Sequence, residues 1–110
     1  MLKTREFPTC IIIDLPERII KGPDGARVRQ ELEAFGDKGK NLGINLSRTD
    51  YIDSSLVTVI LNLDRRIKQA GKTLYIIHPS EAILEILNIT SIARIIPVLD
   101  SEECLVNGHD

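Results

Sequence analysis

Few side chains in this 110-residue chain are of a type and spacing that could do chemistry. The two histidines, His78 and His109, stand far apart, and His78 precedes a proline at the end of an apolar run. An imidazole working as acid or base needs a positioned partner, so His78 reads as a turn residue. No serine lies in a G-x-S-x-G elbow. Gly36 to Gly39 (GDKG) lacks both the spacing and the strong following helix of a phosphate-cradling loop. Cys10 and Cys104 make neither a metal set nor a disulfide framework, and free cysteines are among the most buried residues. What remains is Asp53-Ser54-Ser55, an acid followed by two hydroxyls. Those residue types cap helix starts, because their oxygens accept from unpaired backbone N–H groups. By type alone the triplet is a cap. No catalytic residue, cofactor or metal is expected, so the reading is of a protein that is not an enzyme.

The stretch that must position this triplet runs from Tyr51 to Gly71 (YIDSSLVTVILNLDRRIKQAG). Leu56, Ile60, Leu63 and Ile67 step by the helical interval, and Val57, Val59 and Leu61 widen the stripe. Thr58, Asn62, Arg65, Arg66 and Gln69 fall on the opposite side, so the helix should lie on a core with one wet face. Lys68 and Gly71 suit a C-terminus. This places Asp53, Ser54 and Ser55 on the surface at a positive helix end.

Around that helix the chain alternates. Cys10 to Leu15, Leu42 to Leu46 and Thr73 to Ile77 read as strands, with Arg18 to Lys21 a hairpin partner of the first. Gly22 and Pro23 mark a turn, and Asp24 to Phe35 is a weaker helix. Ser80 caps a short helix carrying Ile83, Leu84 and Leu87. Ile95, Ile96 and Val98 form an edge strand with Pro97 where no donor is needed. Ser101 to Glu103 start a terminal helix. Such alternation predicts an α/β fold, with a mixed, largely parallel central sheet of four or five strands and helices packed on it. Useful surface in such sheets lies at the carboxyl ends of strands, and the loop from Ser47 to Ser54 occupies that place.

Residues 1–110 are read as one domain, with 1–9 and 107–110 as frayed ends. With 27% charged residues and a formal net charge of −2, nothing argues for nucleic acid or a membrane surface. No apolar run approaches the ~20 residues of a bilayer span. The first ten residues carry charges where a signal peptide needs its apolar core, which points to the cytoplasm.

In register, residues 41–103 resemble the STAS domain of bacterial anti-sigma factor antagonists. The segments carrying the resemblance are NLSRTDYIDSS, RRIKQAG, TLYII, HPSEAILEILNITSI and ARIIPVLDSEE. The family's Asp-Ser-Ser-Gly-Leu-Gly becomes Asp53-Ser54-Ser55-Leu56-Val57-Thr58, and a later turn glycine becomes Ser91. LPERIIKGPDG stands where the family carries a Gly-Glu-Leu-Asp segment. The resemblance implies a partner-binding face at Asp53, Ser54, Ser55, Leu56 and Thr58, with Ser54 the phospho-acceptor. It implies a partner that is both anti-sigma factor and serine kinase, and a phosphoserine phosphatase that resets the switch. A monomer or weak homodimer is expected. The alternative is a STAS subunit of a transport or signalling assembly, in which Ser54 is never phosphorylated.

Overall fold

The protein is described by a computed structural model covering residues 2–17 and 23–106. Its first inner strand is the β-branched run Cys10–Asp14 (β2), whose first four residues are all buried. Asn41–Asn45 (β3) lies parallel to it, with Ile12 opposite Gly43, and Leu74–Ile77 (β4) lies parallel to β3. Val98–Leu99 (β5) adds a short parallel edge, and Lys3–Glu6 (β1) closes the other edge antiparallel to β2. The five strands stand in sequence order, the mixed, mostly parallel sheet that the alternation predicts.

Period-2 alternation sorts the strand residues onto two faces. Ile11, Ile13, Leu42, Ile44, Leu74 and Ile76 pack on one side against helices Pro23–Ala34 (α1), Ser54–Gln69 (α2), Glu81–Ile89 (α3) and Ile92–Ile95 (α4). On the other side Cys10, Ile12 and Ile77 meet Leu105 of the terminal helix Glu103–Val106 (α5). Gly43 makes that docking possible. A Cβ there would stand 2.5 Å from Ile77 Cδ1 and 2.9 Å from both Ile12 and Leu105 methyl carbons.

The long helix α2 is as its spacing predicts. Leu56, Val59, Ile60, Leu63 and Ile67 are buried while Thr58, Asn62, Arg65 and Gln69 face out. Its end is a Schellman turn: Lys72 N–H donates to the Ile67 carbonyl at 2.9 Å, and Gly71 takes φ 79°. Arg66, expected on the wet face, is half-buried instead. Its guanidinium donates to the Glu33 carbonyl at 2.8 Å and pairs with Asp37 at 2.7 Å, serving the end of α1.

Three expectations are corrected. The stretch 1–9 is not all frayed, because β1 pairs along its length with β2. KTRE has no apolar alternation, so main-chain pairing holds it, together with Arg5, whose guanidinium clamps Asp14 and Glu102 at 2.6–2.9 Å. Those two carboxylates hold the Arg5 proton more firmly than usual. The second concerns Ile95 to Val98: Ile95 belongs to α4, and the edge strand begins only at Val98. Thirdly, Pro23 is the first residue of α1 and not part of a turn, as suits proline at a helix start. The hairpin expected at 18–21, Gly22 and the tail 107–110 lie outside the described residues.

Candidate functional site

The loop leaving β3 is tied down on both sides. Leu46 N–H donates to the Ile77 carbonyl at 3.0 Å, which continues the β3–β4 pairing beyond the strand. The Thr49 hydroxyl donates to the Pro16 carbonyl at 2.7 Å, and Asp50 N–H to the Glu17 carbonyl at 2.8 Å. From the other flank the Ser80 hydroxyl donates to the Thr49 carbonyl at 3.2 Å. Thr49 and Ile52 are buried. The chain is thus delivered to α2 in one position.

Asp53 caps the helix. Its backbone is extended (φ −100°, ψ 175°) and its Oδ1 accepts the Leu56 N–H at 2.9 Å. Ser54, the first helical residue, is exposed, and no hydrogen bond among the described residues uses its hydroxyl. Ser55 is half-buried. Thr58 is exposed one turn on, and its hydroxyl donates to the Ser54 carbonyl at 3.1 Å.

Two site residues depart from expectation. Asp53 is not on the surface: only 9% of the residue is exposed, and Arg29 of α1 faces its carboxylate. Leu56, expected in the docking face, is fully buried and opens the apolar stripe of α2. Of the residues expected in that face, Ser54 and Thr58 are exposed and Ser55 half-buried, while Leu56 is inaccessible.

Sequence reasoning missed Arg29. From α1 its Nη1 faces Asp53 Oδ2 at 4.0 Å, and the two side chains are only 21% and 8% exposed. Neither atom has a hydrogen-bond partner among the described residues. Its place beside Val28 and three residues before Leu32, on the flank of the apolar stripe, is the signal that could have found it.

The remaining candidates stay apart from this site or quiet. Exposed His78 turns the chain out of β4 at φ 49°, its N–H donating to the Leu99 carbonyl at 2.7 Å. Cys10 is buried, and burial pushes its thiol pKa up, away from the reactive thiolate. The Cys104 side chain is outside those described. Among the described residues no group of three or more His, Cys, Asp or Glu could hold a metal ion. No helix among them is long and apolar enough to cross a membrane.

A mostly parallel five-stranded sheet, a tethered loop and an exposed serine at the head of a long Asp-capped helix together define a STAS-type α/β domain. The profile of the STAS domain family matches residues 2–104, and the chain belongs to that family. Among curated proteins it is similar to BtrV of Bordetella bronchiseptica, assigned as an anti-sigma factor antagonist. The two are 26% identical over 94 residues, which is 84% of this chain and 81% of BtrV. Its fold is that of the anti-sigma factor antagonists of known structure. A STAS domain protein from Planctomyces limnophilus superposes with TM-score 0.83 at 15% identity, covering 97% of this chain and 96% of that one. Unphosphorylated SpoIIAA superposes with TM-score 0.79 at 16% identity, over 100% of this chain and 99% of that one. Bacillus SpoIIAA in the phosphorylated form gives 0.72 at 14% identity, over 99% and 100%.

Proposed function

We propose that this protein is a phospho-switched binding module of the anti-sigma factor antagonist type. With Ser54 unmodified it docks an anti-sigma factor that is also a serine kinase, and so frees a sigma factor for transcription. The kinase places a phosphate on Ser54, docking is lost, and a phosphoserine phosphatase restores it. The module works in the cytoplasm and does no chemistry of its own.

The observation that carries this reading is Ser54 itself, exposed at the head of a 16-residue helix with its hydroxyl uncommitted. Phosphorylation adds about 1.5–2 negative charges. The helix end accepts them, because its unpaired N–H groups carry partial positive charge. A partner seated over Ser54, Ser55 and Thr58 would have to strip water from that dianion. A cost of about 3–4 kcal/mol corresponds to several hundred-fold in affinity. Fold and phosphate are compatible in SpoIIAA, a protein of this fold known in both forms.

The test is a titration of wild type, Ser54→Ala and Ser54→Asp against the partner co-purified from native extract, with intact-mass spectrometry after incubation with ATP. Ser54→Ala should bind as wild type does and take no phosphate. Ser54→Asp, which adds one charge where a phosphate adds about 1.5–2, should bind more weakly than wild type. Should Ser54→Asp bind like wild type, with no phosphate appearing on Ser54, the reading passes to a structural STAS subunit of a transport or signalling assembly.

A further inference from the structure

The start of α2 holds an unfinished contact. Asp53 spends Oδ1 on the Leu56 N–H, while its Oδ2 is buried and accepts nothing from the described residues. Facing it at 4.0 Å is the equally buried and uncommitted Nη1 of Arg29. Charged atoms withdrawn from water without hydrogen bonds are costly. A gap of this width, between opposite charges, fits a group that bonds to the guanidinium and draws it forward.

We infer that Arg29 is the anchor for a phosphate on Ser54, its guanidinium bridging the phosphate and the Asp53 carboxylate and so fastening α1 to the head of α2. The inference rests on Ser54 being the modified residue. Three observations carry it. Ser54 directly follows Asp53, and neighbouring Cα atoms are only about 3.8 Å apart, so a phosphate there arises beside the carboxylate that Arg29 faces. Second, a phosphate dianion next to an ionised Asp53 is a like-charge pair that needs a cation between its members. Four further cations of the described residues are engaged elsewhere: Arg5 by Asp14 and Glu102, Lys40 by Glu6, Arg66 by Asp37, and Lys68 by Asp64. Arg29 alone among the paired cations has an uncommitted nitrogen at this helix head. Third, a guanidinium carries five N–H donors in a planar fork and can serve a carboxylate and a phosphate together, which a lysine ammonium does less well. The phosphate would then be felt by α1, a helix outside the docking face.

The test uses the full chain with phosphoserine genetically encoded at position 54, so no kinase is needed. In arginine-labelled protein the Arg29 guanidinium N–H signals should shift, exchange more slowly with water, and show coupling to phosphorus. The unmodified chain should show none of this. In Arg29→Gln, phosphoserine at 54 should lower Tm by about 5 °C relative to the same variant unmodified, and Arg29→Lys should recover part of that loss. Arg29 signals that are identical in the two forms of the wild-type chain would overturn the inference, and this measurement stands even if Arg29→Gln folds poorly. A kinase assay bears on the switch alone and the encoded phosphoserine on the Arg29 contact alone, so the failure of one is told apart from the failure of the other.

Discussion

Helices α2 and α3 each follow a parallel strand of the sheet, and they start in the same way. At α2 the Asp53 carboxylate takes the Leu56 N–H at 2.9 Å; at α3 the Ser80 hydroxyl takes the Ile83 N–H at 3.3 Å. Leu56 and Ile83, three residues past their caps, are both fully buried. The first helical residues, Ser54 and Glu81, are both exposed. What differs is which residue does the capping. Ser80 is half-buried and its hydroxyl is committed twice, to Ile83 and to the Thr49 carbonyl. Because an aspartate caps α2, the serine after it is left with nothing to hold. Glu81 in turn shows an anion already seated at the position that Ser54 occupies on α2. The Ser54 hydroxyl is uncommitted because its neighbour has taken over the capping.

The shared half of this comparison carries the largest effect. Leu56→Ala and Ile83→Ala should each cost about 2–5 kcal/mol, the range for truncating a large buried side chain. Urea unfolding of the two variants measures it. If Leu56→Ala left stability intact and weakened partner binding instead, Leu56 would be a docking residue and the parallel between the helix heads would break.

Next in size is the difference between the caps. Ser80→Ala loses one cap and a long hydrogen bond to the Thr49 carbonyl, together about 1–1.5 kcal/mol. Asp53→Ala loses a cap and also leaves the buried Arg29 nitrogen without its counter-charge, so about 2–3 kcal/mol is expected. Asp53→Asn separates the two terms, since it keeps a capping oxygen and removes the charge. Thermal melts rank the three, and equal losses for Asp53→Ala and Ser80→Ala would mean that Arg29 adds nothing at the head of α2.

Much of this was legible from residue order. The apolar stripe of α2, its acid-serine start and its glycine stop fix that helix, because period, cap and terminator agree. The inner strands were legible for a similar reason, being short, β-branched and bounded by turn residues. What was lost was decided by distant residues. Asp53 is buried beside Arg29 of α1, at the end of a loop that Thr49 and Asp50 tie to Pro16 and Glu17, and no local pattern encodes those contacts. β1 is a polar segment held by pairing and by Arg5, so it has no hydrophobic signature. The run from Ile92 to Ile95 carries strand-prone isoleucines at both ends, yet Ser91 enters the left-handed region at φ 64° and turns the chain into a short helix. Asp64 sits within the buried stripe and pairs with Lys68 at 2.9 Å, where its type predicts solvent.

The smallest expected effect sharpens the comparison most. Ser54→Ala removes a hydroxyl that holds nothing among the described residues, so stability should stay within about 0.5 kcal/mol. Ser54→Asp puts at the head of α2 the charge that Glu81 already puts at the head of α3. An anion in the first turn is favourable by about 0.3–1 kcal/mol at low salt, and repulsion from Asp53 next door opposes it. The two terms are similar in size, so Ser54→Asp should also melt within about 0.5 kcal/mol of wild type, and added salt should shrink any difference. Glu81→Ser is the reciprocal variant and should lose only the favourable term, because no aspartate precedes it. Thermal melts of these variants at low and high salt check the prediction. A Ser54→Asp variant that is stable yet fails to dock would place the whole effect of the charge in the partner interface. Should it unfold the domain, any loss of docking would be a consequence of instability, and the head of α2 would differ from that of α3 in tolerance of charge as well as in its cap.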